Sequence, residues 1–223
     1  MVNIKSWLSS HWPNHFSHLY TVTDNITEIP VQVAAYNLVT EAYLAPTDRV
    51  LDIGFGLGYG LCIMSCKVDH LVGVEVDRKA FTKSRELYIN NNYVELIYYD
   101  GYHLPFGKSS FDIVTCVDVL EHVKDYYILL QDIIRITRRA IVISTPNRKP
   151  EYTRLNGRPK NPWHIREWSY LEFNEILRQL GFRYEWNFIN GPWEGPLSIS
   201  KEITSDTLAL APVIWFSHNN LQR

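Results

Sequence analysis

Between residues 52 and 60 an acid and a series of glycines alternate, as Asp52, Gly54, Gly56, Gly58 and Gly60. Farther along stand an acid closing an apolar run at Glu75, an aspartate in a polar turn at Asp100, an adjacent acid–imidazole pair at Glu121-His122, and a second histidine followed by an arginine at His164 and Arg166. Glycines leave backbone N–H groups open to a ligand, because no Cβ keeps it away. An acid inside such a loop attracts a cation and repels a phosphate. Carboxylates accept hydrogen bonds from hydroxyls and amines. Histidine titrates near neutrality and takes a proton from an acceptor group. These residues describe a cofactor pocket with a proton acceptor at its mouth.

The elements that must position them follow from hydrophobic spacing. Val50 to Ile53 is a short apolar run that reads as a buried strand, and Leu61, Ile63 and Met64 mark a helix after the glycines. The dinucleotide fingerprint G-x-G-x-x-G does not fit. Started at Gly54 it places Tyr59 sixth, and started at Gly56 it places Leu61 sixth. From Arg49 onward strands over 49–53, 70–75, 94–99, 111–117 and 140–145 alternate with helices over 59–67, 78–91 and 124–137. That alternation is the pattern of a doubly wound α/β sheet. A helix is expected from Pro30 with Val31, Ala34, Ala35, Leu38 and Ala42 on one face, closed by Pro46. Residues 146–168 form a long irregular stretch of the kind usually kept for function. A capping box at Ser169–Glu172 then opens a helix that stops at Gly181, and 182–189 and 207–217 read as two further strands joined by a Gly/Pro-rich arm.

The loop from Asp52 to Gly58 resembles the D-x-G-x-G-x-G loop of class I S-adenosylmethionine-dependent methyltransferases, where it lies under the methionine part of the cofactor. Three further segments carry the same resemblance. Gly73-Val74-Glu75-Val76-Asp77 is similar to the family's ribose-binding strand end, and Tyr99-Asp100-Gly101-Tyr102-His103-Leu104-Pro105-Phe106 to its adenine-binding turn. Asp118-Val119-Leu120-Glu121-His122-Val123 is similar to the segment that closes over the cofactor and faces the substrate. The resemblance implies cofactor contacts from Asp52, Gly54, Gly56, Gly58, Glu75, Val76, Asp100, Gly101, Tyr102 and Val117. Asp77 is assigned to capping the next helix. Asn161-Pro162-Trp163-His164-Ile165-Arg166-Glu167-Trp168 resembles a stretch found in a subgroup akin to ubiquinone-pathway and sugar- or natural-product-modifying methyltransferases. The resemblance spans about residues 49–180. It implies a Rossmann-like, mostly parallel, seven-stranded sheet with an antiparallel last strand. It departs from the family where Ile136-Thr137-Arg138-Arg139-Ala140 replaces the usual Leu-Lys-Pro-Gly-Gly turn before the fifth strand.

The expected function is methyl transfer from S-adenosylmethionine to a small or medium organic acceptor, with oxygen favoured as the acceptor atom. His122 and His164 are the candidate bases, each with a structural alternative as a shaper of the site. Arg166 is a candidate for holding a substrate carboxylate or phosphate, against an ion pair that pins the loop. The alternatives are a nucleic-acid methyltransferase, an NAD(P)-dependent oxidoreductase, or a binder that keeps the pocket without turnover. A net charge of −2 and a pI near 6.4 give no reason to expect a nucleic-acid partner. Cys62, Cys66 and Cys116 form no C-x-x-C and stand at no zinc spacing with histidine, so no metal is expected. The leading residues contain no apolar signal segment and no run long enough to span a membrane, which suits a cytoplasmic protein. The expectation is one domain, with 1–45 as a lead-in or lid that includes His11, His15 and His18, 49–145 as cofactor core, and 146–223 as substrate loop, helix and last strands.

Overall fold

The structure, a computed structural model, describes residues 29–88, 91–192 and 196–216. His11, His15, His18 and most of the expected lid lie outside the described residues. Helix α1 (Ile29–Ala42) leads into β1 (Arg49–Ile53), α2 (Tyr59–Ser65), β2 (His70–Glu75), α3 (Arg78–Tyr88) and β3 (Val94–Tyr98). Then follow β4 (Phe111–Val117), a single 3₁₀ turn at Leu120–His122, α4 (Tyr126–Ile136), β5 (Thr137–Pro146) and α5 (Tyr170–Leu180). The chain closes with β6 (Arg183–Glu185), β7 (Phe188–Asn190), β8 (Ser198–Ser200), β9 (Thr207–Leu210) and β10 (Val213–Trp215).

The first five strands pair in parallel in the order β3-β2-β1-β4-β5. Strand order reverses beside β1, and in sheets of this kind ligands bind beyond the strand ends at that point. Both faces of the parallel strands are covered, so β1 reads as a continuous apolar run instead of an alternating one. Val50 joins a core shared with α1 and α2 through Val39, Leu61 and Met64. Leu51 and Ile53 join the opposite core with Leu130 and Ile133 of α4 and Phe173 and Leu177 of α5.

The last two expected strands are each broken once. β9 and β10 lie end to end against β5, and β7 and β6 lie end to end against them. The break falls at Ala211-Pro212, where proline has no N–H to donate. Asn187 and Ala211 exchange backbone bonds of 3.1 and 2.8 Å across the interruption, which keeps the two lanes in register. Of those lanes only the last, β9 with β10, runs antiparallel to β5, as the resemblance implied. The arm between them holds one more short edge strand, β8, which its Ser-Ile-Ser composition did not announce.

The missing turn before β5 is replaced by direct passage from α4 at Ile136 to β5 at Thr137. The register against β4 shifts between Phe111 and Ile113, so one extra residue of β5 is taken up as a bulge. Arg138 is fixed there by Asp112 at 2.7 Å, and Arg139 pairs with Asp48.

Candidate active site

The glycine loop leaves β1 and enters α2 with Gly54, Gly56 and Gly58 all at positive φ, of 70°, 56° and 85°. The three are not equivalent. A Cβ on Gly54 would come within 2.6 Å of Val119, and one on Gly58 within 2.8 Å of the Tyr88 ring. A Cβ on Gly56 would meet nothing within 4 Å. Gly54 and Gly58 are therefore closed by packing, and Gly56 keeps open space above its backbone.

Glu75 ends β2 beside that opening and is buried. Its Oε2 accepts from the Gly56 N–H at 2.7 Å, while Oε1 accepts from the N–H groups of Val76 and Asp77 at 2.7 and 2.8 Å. A carboxylate has about four acceptor positions, so about one remains beside these three bonds, and about two if the Gly56 bond yields. Asp77 caps α3 by accepting from Lys79 and Ala80 at 2.8 Å. Asp100 is exposed, and the Tyr102 N–H bonded to it holds its carboxyl below the usual range. Gly101 takes a φ of 83°, and a Cβ there would lie 3.2 Å from Val76. Val76, next to Glu75 in the chain, and Tyr102, next to Gly101, are both exposed.

Asp52 does not face this opening. It is wholly buried beneath the loop, where Thr115 Oγ1 donates at 2.7 Å and Tyr36 OH at 3.1 and 3.2 Å. Burial pushes its pKa up to about 7 against the pull of those two hydroxyls. Val117 is likewise enclosed, in the core shared with α1.

Beyond β4 the chain turns sharply at Asp118, which takes the left-handed φ of 51° that aspartate tolerates better than most residues. Its N–H donates to Ser144 O at 2.9 Å and its Oδ1 accepts from Ser144 Oγ at 2.6 Å, so the strained residue is held from β5. Burial raises its carboxyl pKa. The 3₁₀ turn that follows presents Glu121, fully buried, and His122, exposed. Here the long 146–168 segment returns. Ile165 N–H donates to the Glu121 carbonyl at 2.9 Å, and the His122 and His164 rings meet edge to face with centroids 4.9 Å apart. His122 Nδ1 lies 3.0 Å from the Trp163 carbonyl; His164 Nδ1 lies 2.7 Å from Glu167 and its Nε2 3.0 Å from Asn161. The His122 pKa is lowered, first by desolvation, with His164 adding to it against the Trp163 carbonyl and Asp118.

Residues 51–142 match the family described as a methyltransferase domain. That part of the chain is similar to S-adenosylmethionine-dependent methyltransferases. It is 32% identical over 137 residues to a probable S-adenosylmethionine-dependent methyltransferase of Mycobacterium tuberculosis, a match covering 60% of this chain and 48% of the relative. It is also 32% identical over 108 residues to the ubiquinone biosynthesis O-methyltransferase of Aeromonas salmonicida, covering 46% of this chain and 45% of that one. The chain thus spans about half the length of these curated relatives. The fold is shared with a methyltransferase of Thermotoga maritima at a TM-score of 0.63, 18% identity, and coverage of 94% and 98% of the two chains. The names of these mycobacterial relatives give S-adenosylmethionine as their cofactor.

The fold brings Glu75 to the Gly56 backbone, sets Gly101 against Val76, and brings His122 to His164. Arg166 is used otherwise. It donates to the Lys124 carbonyl at 2.7 Å and lies over the Tyr126 and Trp168 rings, with its guanidinium carbon 4.7 and 5.9 Å from their centroids. It makes no ion pair among the described residues. Sequence reading missed Tyr36, Thr115 and Ser144, which act on Asp52 and Asp118. Their types are common in any α/β chain, and only the fold selects them. No helix among the described residues is long and apolar enough to cross a membrane.

Proposed function

We propose that this chain transfers the methyl group of S-adenosylmethionine to a hydroxyl oxygen of a small or medium organic acceptor. The observation that carries the reading is the contact between two groups of residues. The turn bearing Glu121 and His122 packs Val119 directly against Gly54 of the glycine loop, so the imidazole pair stands beside the cofactor loop. The open space over Gly56 suits a bulky ligand, and Glu75 at its rim suits ribose hydroxyls. Asp100, Gly101, Tyr102 and Val76 suit the base, with Tyr102 and Val76 supplying an apolar edge. When bound, the cofactor supplies an electrophilic methyl on a sulfonium.

The remaining work belongs to the protein: aligning the acceptor and drawing the proton from its hydroxyl. His122 is suited to the second task. A carbonyl only accepts, so its Nδ1 carries the hydrogen toward Trp163, and Nε2 keeps a lone pair. Its lowered pKa keeps the ring neutral near pH 7. Buried His164, locked between Glu167 and Asn161, positions it. An oxygen-directed relative in the ubiquinone pathway supports oxygen as the acceptor atom.

The test is calorimetry with S-adenosylhomocysteine. Gly56→Val forces a β-branched residue into a left-handed conformation and fills the opening. Glu75→Ala removes the acceptor at the rim. Each should weaken binding by at least about tenfold, the loss of one charge-assisted hydrogen bond, while thermal unfolding stays cooperative. Undiminished affinity in both variants would refute the cofactor site. Mass spectrometry on paired hydroxyl and amine acceptors should show methylation of the hydroxyl compounds; methylation of amines alone would overturn the choice of oxygen.

A further inference from the structure

We propose that Glu121, His122 and His164 form a binding site for a divalent first-row transition metal ion. One donor atom from each of the three lies within 4.8 Å of the other two. Around an ion with bonds of about 2.1 Å, ligand atoms stand ~3.4 Å apart in a tetrahedron and ~4.2 Å apart across the ion. The cluster is therefore within an inward shift of under about 1.5 Å of enclosing one.

The surroundings prepare the imidazoles for that role. Each metal-binding histidine needs one nitrogen with a free lone pair, and the other nitrogen is usually held by a carbonyl or carboxylate that fixes the tautomer. Both arrangements are present. His122 Nδ1 faces the Trp163 carbonyl at 3.0 Å, and His164 Nδ1 faces the Glu167 carboxylate at 2.7 Å. These bonds put the ring hydrogens on the outer nitrogens and leave the Nε2 lone pairs for the cluster. Glu121 completes the set with a fully buried carboxylate whose Oε2 accepts from Thr145 Oγ1 at 3.3 Å. Its main chain ties the two segments together through the Ile165 N–H, so ligands far apart in sequence are held before any ion arrives. One competitor is present. The Asn161 amide donates to His164 Nε2 at 3.0 Å and would be displaced by the ion.

Two imidazoles and a carboxylate are borderline and hard donors with no thiolate, a set suited to Mn(II), Fe(II), Co(II) or Zn(II) and not to soft Cu(I). Three protein ligands leave positions open, as in sites that bind substrate. Resting on the methyltransferase reading, the open position takes the acceptor's hydroxyl oxygen. The ion lowers the hydroxyl pKa, and its proton leaves to solvent. The oxygen lone pair then forms the O–CH₃ bond as the S–CH₃ bond breaks, and that electron pair stays on sulfur. On this account His122 is a ligand, and the ion takes over the task of drawing off the proton.

The probe is Co(II), added to the full chain after chelator treatment and followed by its visible absorption and by calorimetry. We expect one ion per chain, with affinity reduced at least about tenfold in both His122→Ala and His164→Ala. His122 is exposed, so its variant folds even if loss of His164 disturbs the loop; a cooperative thermal transition checks this. Failure of the folded wild-type chain to bind Co(II) or Zn(II) saturably would overturn the site, as would equal affinity in both variants. S-Adenosylhomocysteine binding is measured on the metal-free protein. Co(II) binding that is lost with the histidines supports the site whether or not the nucleoside binds, so the two readings fail separately.

Discussion

Asp52 keeps a carboxyl group away from water on every side, held by two hydroxyls directly below the glycine loop. Its pKa near 7 in the folded chain stands well above the usual 3.8. Below about pH 3.8 the carboxyl is protonated in both folded and unfolded chains. Between about 3.8 and 7 the folded chain retains a proton that the unfolded chain has released, so the folded state binds more protons. Stability therefore falls as pH rises through that window, and the loss is complete above it. Asp52→Asn carries no such proton. We expect the unfolding free energy of the wild type, relative to Asp52→Asn, to drop between about pH 4 and pH 7 and then level off, in chemical denaturation at fixed salt. Parallel pH profiles would show that Asp52 is not buried as described. The position of this acid was legible from its place before the glycines. Its burial was not, because the group that covers it, Tyr36, belongs to a helix whose partners a linear chain does not reveal.

At the scale of elements, α1 illustrates why. Apolar spacing placed Val31, Ala34, Ala35, Leu38 and Ala42 on the inward face. In the fold Val31 and Ala35 are buried, but Tyr36 and Val39 are too, while Ala42 is exposed. The helix is covered on two sides, by α2 and by the sheet, so its buried arc is wider than a single stripe and turned toward α2. Gly60 makes that contact possible. A Cβ there would lie 2.2 Å from the Tyr36 ring, closer than any real contact. Gly60→Ala should therefore destabilise the chain by about 1–3 kcal/mol, the usual cost of overpacking. Combined with Tyr36→Ala, which removes the ring, the same substitution should cost much less. A double-mutant cycle in urea measures this coupling, and additive costs would mean that α1 does not dock through Tyr36. The glycine motif and the cap at Ser169 were readable because local backbone demands dictate residue type. The bulge in β5 was not, since Arg138 and Arg139 act through partners at Asp112 and Asp48.

At the scale of the whole molecule, the long segment after β5 joins the two chemical halves. It leaves the sheet at Asn147, which bridges to Trp168 where the segment returns, and between these points it carries His164 to the Glu121 turn. The individual histidines could be named from the sequence. Their meeting could not, because a loop without periodicity gives no clue to its path. What closes that path is Arg166, stacked on Tyr126 at the start of α4 and bonded to the Lys124 carbonyl. Arg166→Ala removes the stacking and the bond together, and Arg166→Lys keeps the charge but not the planar fork. If the residue is a clamp, both variants should expose the 146–168 segment to limited proteolysis, lower turnover several-fold through a displaced His164, and leave S-adenosylhomocysteine affinity within about twofold. A residue that held an acidic substrate would behave differently: Lys would rescue much of the activity, KM would rise more than kcat falls, and the protease pattern would not change.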